Sequence, residues 1–362
     1  MTVRIAAVFA LLLIACSTGA QQAWSPGELP PEEPRQPGAL DISITLFDPG
    51  IPDDKSVHRD QEIYPRIREI ESLFLPFVLR RTLNDTHQWG AVRVVPDSDD
   101  AAELLVTATI VRSDGEQLAL NVRAVDATGR VWLDRLFSGA TSENYARDER
   151  ALDPAGYNAL YDEIAEALLA VRKTLDARAL RNIVDVSLMR YAEALVPSAF
   201  SQYLSGGDDG SYVLLRLPAT NDPMLGRINR LRRVEYAITD AVDEKYEELH
   251  EEIASTYDLW RRYRREFKRY QRDEAERAAM DPSDAPRGSY ESLLDRYRRY
   301  KWDRMAAQEQ EDWAVGFDNE VGPTIERIEV RIDELAGWVE RETATWERIL
   351  AEFYELETDF AQ

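Results

Sequence analysis

One cysteine, Cys16, is the residue of this chain with the clearest context for chemistry. It follows an almost uninterrupted apolar stretch, residues 5–15, and a positive charge, Arg4, precedes that stretch. A charged start and a short apolar segment are typical of a secretory signal peptide, and the segment is too short to span a bilayer as a mature helix. We therefore expect this segment to direct export of the chain.

The segment ends in Leu13-Ile14-Ala15-Cys16, which resembles the lipobox cleaved by bacterial lipoprotein signal peptidase. The resemblance implies that residues 1–16 are a lipoprotein signal peptide with its lipobox. It also implies that Cys16 becomes the mature amino terminus and carries lipid, including palmitate, on its sulfur and amine. An ordinary signal peptide with an incidental cysteine is the alternative.

The two residues after the lipobox are Ser17 and Thr18, with no aspartate that would favour retention in the inner membrane. This pattern resembles outer-membrane lipoproteins. We therefore expect the chain to be anchored in the outer membrane by lipid on Cys16 and to face the periplasm. No second apolar run of about 18–20 residues is present, so the sequence predicts no spanning helix.

Composition limits the other functions. The 362 residues carry a formal net charge of −23, which disfavours nucleic acid as a partner. A lone cysteine excludes disulfides within the chain, and the three histidines are far apart in sequence, so we expect no metal site and no cofactor. Nucleophile elbows, phosphate loops, dinucleotide fingerprints and zinc-protease motifs are absent, so we assign no catalytic residue and expect no enzyme.

A run of arginines and aromatics, residues 260–272, is the most suggestive local pattern. It supplies five candidate partner-binding residues: Arg261, Arg262, Arg264, Arg265 and Arg269. One hypothesis makes them a docking face for an anionic envelope polymer or an acidic partner protein. The structural alternative packs the aromatics inside a helical hairpin and pairs the arginines with glutamates at 244, 247, 248, 251 and 252.

The elements that position these residues fall into three parts. Residues 17–40 are rich in proline and charge and are predicted to be a disordered tether. Residues 41–180 are predicted to be a compact α/β domain that folds on its own. Its predicted elements are a first strand near residues 42–46, a helix from Pro65, a strand near 92–95, a three-strand antiparallel meander over 104–111, 117–125 and 130–137, and a helix carrying Leu160 to Leu175.

Three segments of this domain resemble a known group of envelope proteins: FVLRRTL at 77–83, QWGAVRVV at 88–95 and LNVRAVDATGRVW at 120–132. They are similar to the amino-terminal domain of the Tol–Pal propeller protein and to the folds of the curli-secretion lipoprotein and the lipoprotein activator of peptidoglycan synthase. The resemblance covers about 140 residues. It implies an envelope location and protein binding, without assigning binding residues.

Residues 181–362 are predicted to be a long-helix, coiled-coil-like domain. A helix from Pro223 to about Ala279 is followed by a break at 281–288, a second helix, and a further break at Gly322-Pro323. The last helix carries a heptad seam over residues 325–356, with Glu342 as its polar exception. An antiparallel hairpin or bundle within one chain is favoured, which leaves a monomer, and an intermolecular coiled coil is the alternative.

The predicted fold class is therefore α+β, a small α/β domain with an antiparallel meander and two packing helices, followed by a long-helix hairpin or bundle. The predicted function is that of a non-catalytic accessory or scaffold in a periplasmic envelope assembly, acting through protein–protein contacts with an unidentified partner. A cell-wall hydrolase with an unrecognised site and a structural homo-oligomer are the alternatives.

Lipid anchoring makes a direct prediction. Replacing the nucleophile by Cys16→Ser should abolish both palmitate labelling and membrane retention in cells, because no other membrane signal is visible in the sequence. Radiolabelled palmitate incorporation and membrane fractionation measure the two effects separately. A variant that remains as membrane-bound as the unaltered chain would contradict anchoring through Cys16.

Overall fold

The computed structural model describes Gln36 and residues 38–58, 61–96, 101–140, 157–219, 221–280 and 290–359. For residues 277–280 and for several residues of the last range it describes the backbone alone. Cys16 and most of the predicted tether lie outside the described residues. The folded part begins earlier than the predicted end of the tether at residue 40. Ala39 and Leu40 are already buried, with 4% and 0% of their surface exposed.

A five-stranded sheet forms the centre of the fold, in the order β2-β1-β3-β4-β5. Parallel pairs join β1 to β2 and to β3, and antiparallel pairs join β3 to β4 and β4 to β5. The predicted meander is therefore confirmed. The strands are β1 (Ile42–Thr45), β2 (Val92–Val95), β3 (Leu104–Ser113), β4 (Gln117–Asp126) and β5 (Val131–Ala140).

One face of this sheet is covered by two helices. Helix α1 (Pro65–Asp85) contacts β1, β2 and β3, and α2 (Asn158–Lys173) contacts β5 and α1. Alternation along β4 explains the arrangement, because Leu120 and Val122 are buried while Asn121 and Arg123 are exposed on the other face. An antiparallel sheet with one buried and one solvated face shows this period of two.

The chain then continues through small elements that cover one end of the sheet. Helix α3 (Ala177–Leu195) begins at the N-cap Asp176, whose carboxylate accepts hydrogen bonds from two backbone N–H groups of the first turn. Helix α4 (Pro197–Phe200) and the hairpin of β6 (Leu204–Gly206) and β7 (Tyr212–Leu214) follow. The predicted domain boundary between residues 180 and 181 therefore falls inside α3, and buried residues continue across it.

Two long helices complete the fold, α5 (Pro223–Met280) and α6 (Tyr290–Asp359). At a rise of 1.5 Å per residue they are about 87 Å and about 105 Å long. They are antiparallel, because Arg327 pairs with Glu252 whereas the earlier Trp313 stacks on the later Tyr263. The predicted hairpin within one chain is thus present. We call residues 38–219 the body and the α5–α6 hairpin the arm.

The break predicted at Gly322-Pro323 is wrong, because α6 runs through Pro323 without interruption. A proline inside a helix removes one backbone hydrogen bond and costs about 3 kcal/mol. Packing on both sides offsets that loss, since Phe317, Val321 and Ile325 are all buried. Eight residues of the predicted seam have side chains outside the described part of the structure: Ile328, Ile332, Leu335, Val339, Glu342, Trp346, Phe353 and Leu356.

Candidate functional site

The arm is joined to the body by an aromatic contact between α1 and α5. The Phe74 ring stacks on the His250 imidazole with centroids 4.0 Å apart, and the Tyr257 ring lies 4.6 Å from Phe74. Phe77 packs 5.9 Å from Tyr246. Both phenylalanines are 1% exposed, so α5 belongs to the same core as the sheet.

The edge strand β2 is covered by the same helix. Asp243 of α5 accepts a hydrogen bond from the backbone N–H of Val94 at 2.9 Å, and Arg80 of α1 donates to the Val92 carbonyl at 3.3 Å. Arg80 also pairs with Asp243 at 2.9 Å. An uncovered edge offers unpaired N–H and C=O groups to other chains, and here polar side chains from two helices occupy that edge.

A buried carboxyl, Glu71 of α1, lies further along the contact. Its Oε1 accepts hydrogen bonds from the Tyr257 hydroxyl at 2.9 Å and from the Ser113 hydroxyl at 2.5 Å. Arg68 is 3.9 Å away and donates to the Ile110 carbonyl. Burial raises the pKa of Glu71, while Arg68 and the two hydroxyls act in the opposite direction. Glu71 therefore connects α1, β3 and α5 through one buried group.

The turn between β3 and β4 fits directly against α5. Asp114 accepts hydrogen bonds from the backbone N–H groups of Glu116 and Gln117, which closes the turn. Gly115 has a φ of +89°, and a Cβ there would lie 2.6 Å from the Cβ of Arg264. Only glycine combines this backbone conformation with so close an approach to the helix.

An ion cluster surrounds that turn. Lys268 of α5 bridges Glu62 at 2.7 Å and Asp114 at 2.8 Å. Burial alone would raise the pKa of Asp114, but the Lys268 ammonium and the backbone N–H donors lower it to about 2. Arg264 pairs with Glu62 at 3.2 Å, and its guanidinium lies 5.0 Å from the centre of the Tyr64 ring. The cluster holds the arm against the segment before α1 and against the turn between β3 and β4.

The structure separates the five predicted partner-binding arginines into different environments. Arg261 and Arg264 are 3% and 2% exposed, and Arg261 lies over the Tyr157 ring at 4.3 Å. Arg262, which pairs with Asp258, and Arg265 are partly buried, while Arg269 is exposed. A continuous docking face made of all five residues is therefore not formed, because the helix turns two of them into the core.

Four of the five glutamates predicted to pair with these arginines have other partners, and Lys245 is the partner of Glu248. Glu247 and Glu251 face Arg80 and Arg81 of α1, and Glu252 pairs with Arg327 of α6. In the arginine run, Arg264 instead pairs with Glu62 of the body, and Arg262 pairs with Asp258 one turn earlier on α5. Long-range packing therefore decides several ion pairs of this helix, and local spacing decides others, such as Arg262–Asp258.

Sequence reasoning named Arg264 as a candidate binding residue but did not identify the whole helix face that makes the contact, although a signal exists. Asp243, Tyr246, His250, Ile253, Tyr257, Trp260 and Arg264 recur on α5 at alternating steps of three and four. This spacing defines one helix face. This face mixes charged and aromatic residues, so it is hard to recognise from sequence. A buried helix face is usually recognised by a stripe of apolar residues.

The buried groups enclose almost no free space. A cavity of about 10 Å³ lies between Glu71, Arg68, Ser113 and Arg261. That volume holds roughly one water molecule. The described residues also contain no cluster of His, Cys, Asp or Glu side chains placed to hold a metal ion. The Glu71 carboxyl connects α1, β3 and α5, and this cavity is too small for a substrate.

Comparisons of the chain with protein-family models, curated proteins and solved structures found no match. The resemblance of residues 41–180 to the Tol–Pal propeller protein domain stays a prediction. In the part of the chain that the structure describes, no helix combines the length and apolar character needed to cross a bilayer.

His250 makes the contact sensitive to acid. Burial, together with the positive charge of Arg81, lowers the pKa of this imidazole from 6.5 to about 4. The neutral His250 imidazole makes its full contribution to the free energy of unfolding above pH 6.5. This contribution is lost progressively as the pH falls towards 4, because His250 takes up a proton at higher pH in the unfolded chain than in the folded one. The shift is equivalent to about 3 kcal/mol. His250→Phe, which keeps the stack on Phe74, should remove this loss.

Urea unfolding at several pH values between 7 and 4 tests this expectation. The free energy of unfolding of His250→Phe should gain about 2–3 kcal/mol relative to the unaltered chain as the pH falls through this range. Asp243, whose pKa burial raises to about 6, changes stability in the opposite direction but is present in both proteins. His87→Asn also removes one histidine, but from an exposed turn, so it is the control and should leave the pH dependence of unfolding unchanged. Parallel pH profiles for the unaltered chain and His250→Phe would contradict the assignment.

Proposed function

We propose that this protein is a non-catalytic lipoprotein of the outer membrane that faces the periplasm and acts as an accessory or scaffold in an envelope assembly. Lipid on Cys16 anchors it, and protein–protein contacts carry its function. The proposal joins the sequence pattern around Cys16 with the surface of the arm described below.

The observation that carries the proposal is an exposed apolar stripe on α6. Tyr290, Leu293, Tyr297 and Tyr300 are between 57% and 77% exposed, and their steps of three, four and three place them on one helix face. Clustered exposed apolar side chains mark interaction sites, and tyrosine is a frequent contributor to binding energy. We therefore assign partner contact to this stripe.

The contact between arm and body supports this role. Aromatic stacking on Phe74, the Glu71 hydrogen bonds and the Lys268 bridges hold α5 along the body. The stripe therefore has a defined orientation relative to the body. Residues 17–37 between Cys16 and the body could reach at most about 76 Å when fully extended, which limits how far the start of the body can lie from the membrane.

The buried titratable groups favour a non-catalytic role. Glu71 and Arg261 have the chemistry of an acid–base site, but the cavity that they line has a volume of only about 10 Å³. Catalytic groups must reach the substrate within hydrogen-bonding distance. The alternative of a cell-wall hydrolase would require a convergent cleft, and these residues do not line one.

The exposed stripe also fits a homo-oligomer, because a second copy of the arm could cover it. The two functions differ in what touches the stripe, and a crosslinking experiment separates them. The position of choice is Tyr297, at the centre of the stripe and 62% exposed.

A photoreactive phenylalanine analogue at Tyr297 should crosslink in intact cells to one partner protein of defined mass. The same analogue at Val213, which is 58% exposed on the body, is the matched control and should give no adduct. Gel analysis of membrane fractions and mass spectrometry measure the outcome. An adduct containing two copies of this chain would support the homo-oligomer. Equal crosslinking from both positions, or none from Tyr297, would contradict the scaffold proposal.

A further inference from the structure

A groove runs between α5 and α6 along the arm. Leu259 lines it and lies nine residues after His250, which at 100° per residue places it on the opposite side of α5 from the body contact. The groove has a volume of about 570 Å³. This is within the range of ligand-binding clefts, which often lie between the helices of a bundle.

Aromatic side chains form the floor of the groove. Trp260 packs on Phe317 with ring centroids 6.1 Å apart, and Trp313 stacks on Tyr263 at 4.5 Å. Leu259 and Trp313 remain 54% and 40% exposed. The floor is therefore an apolar surface that the two helices hold in place without covering it.

A glycine opens the groove at its centre. Gly316 lies in the interior of α6, where glycine destabilises a helix by about 1 kcal/mol relative to alanine. A Cβ at this position would meet no other atom within 4 Å, so packing against a neighbour does not require glycine there. The missing side chain instead leaves space directly above Trp313 and Phe317.

The rim of the groove is acidic. Glu309, Asp312 and Glu320 line it from α6, and all three are exposed. Among the described lining residues none is basic. A groove with an apolar floor and carboxylates along its rim is complementary to a ligand with one apolar face and flanking positive charges.

We propose that this groove binds a basic amphipathic helix of a partner protein. Residues 309–320 extend over about 16 Å, or three helical turns, which suits anchors at i, i+3 or i+4, and i+7. The apolar anchors contact Leu259 and Trp313 and fill the space above Gly316. Lysine or arginine residues beside those anchors pair with Glu309 and Glu320. The inference rests on the proposed scaffold function and names the chemistry of one partner segment.

Two fluorescein-labelled peptides of 18 residues serve as probes. Both carry leucine on one helix face, and they differ only in having lysine or glutamate on the other. Binding to residues 17–362, which retain every described residue, is measured by fluorescence anisotropy. We expect the leucine–lysine peptide to bind at least tenfold more tightly than the leucine–glutamate peptide. Absence of binding by the lysine peptide overturns the proposal.

A pair of uncharged substitutions distinguishes the groove from general attraction to an acidic protein. Gly316→Trp fills the groove and should weaken binding of the lysine peptide at least tenfold. Gly226→Trp is the control, because Gly226 is also a helical glycine with no atom within 4 Å of its Cβ position. It should leave the affinity unchanged. Equal affinities for both variants and the unaltered chain would overturn the proposal.

A second pair tests the rim with surface changes that do not threaten folding. Glu309→Gln combined with Glu320→Gln should weaken lysine-peptide binding several-fold. Asp162→Asn combined with Glu166→Gln removes the same charge from exposed positions on α2 and should have no effect. Equal weakening by both pairs would mean diffuse electrostatic binding and would overturn the site. Crosslinking from Tyr297 would be unaffected by that result, so failure of the groove and failure of the scaffold proposal are distinguishable.

Discussion

The burial of the Glu71 carboxyl between α1, β3 and α5 is the constraint on which the rest of the structure depends. A buried carboxyl is costly unless its hydrogen bonds are made, and here Ser113 and Tyr257 supply them from two different elements. Moving α5 away would leave Glu71 without the Tyr257 hydroxyl and would expose Phe74. The long helix is therefore part of the core of the body, and it is not a separate domain attached by a linker.

Several other features follow from this position of α5. Asp243 can complete the edge of β2, Gly115 must lack a side chain, and Lys268 can bridge two carboxylates. With one face of α5 on the body and a second on α6, the remaining surface of the arm is available for partners. The exposed tyrosines of α6 and the acidic groove around Gly316 lie on that surface. A body with an oriented arm suits the scaffold role that we propose.

Local structure was largely predictable from sequence, and packing between distant elements was not. Alternation along β4 and turn residues such as Gly115 indicated the meander, and apolar spacing indicated the long helices. Arg261 and Arg264 were candidates for partner binding, with packing and ion pairing as the alternative, and the structure buries both on a helix face that they share with His250 and Tyr257. Pro323 was assigned to a break because proline disfavours helix, but buried neighbours on both sides keep the helix continuous. At both places a tertiary contact decides what local preference leaves open or opposes.

The most direct test of a shared core is native-state hydrogen exchange on the intact chain. If α5 belongs to the core, its backbone amides near His250 and Tyr257 should exchange as slowly as those of β4, through the same global unfolding. Protection of these amides should then fall together as urea is added. Amides of α5 that exchange a hundredfold faster than those of β4 would show that the arm detaches while the body stays folded. That result would contradict the central claim and would restore an independently folding domain of residues 41–180.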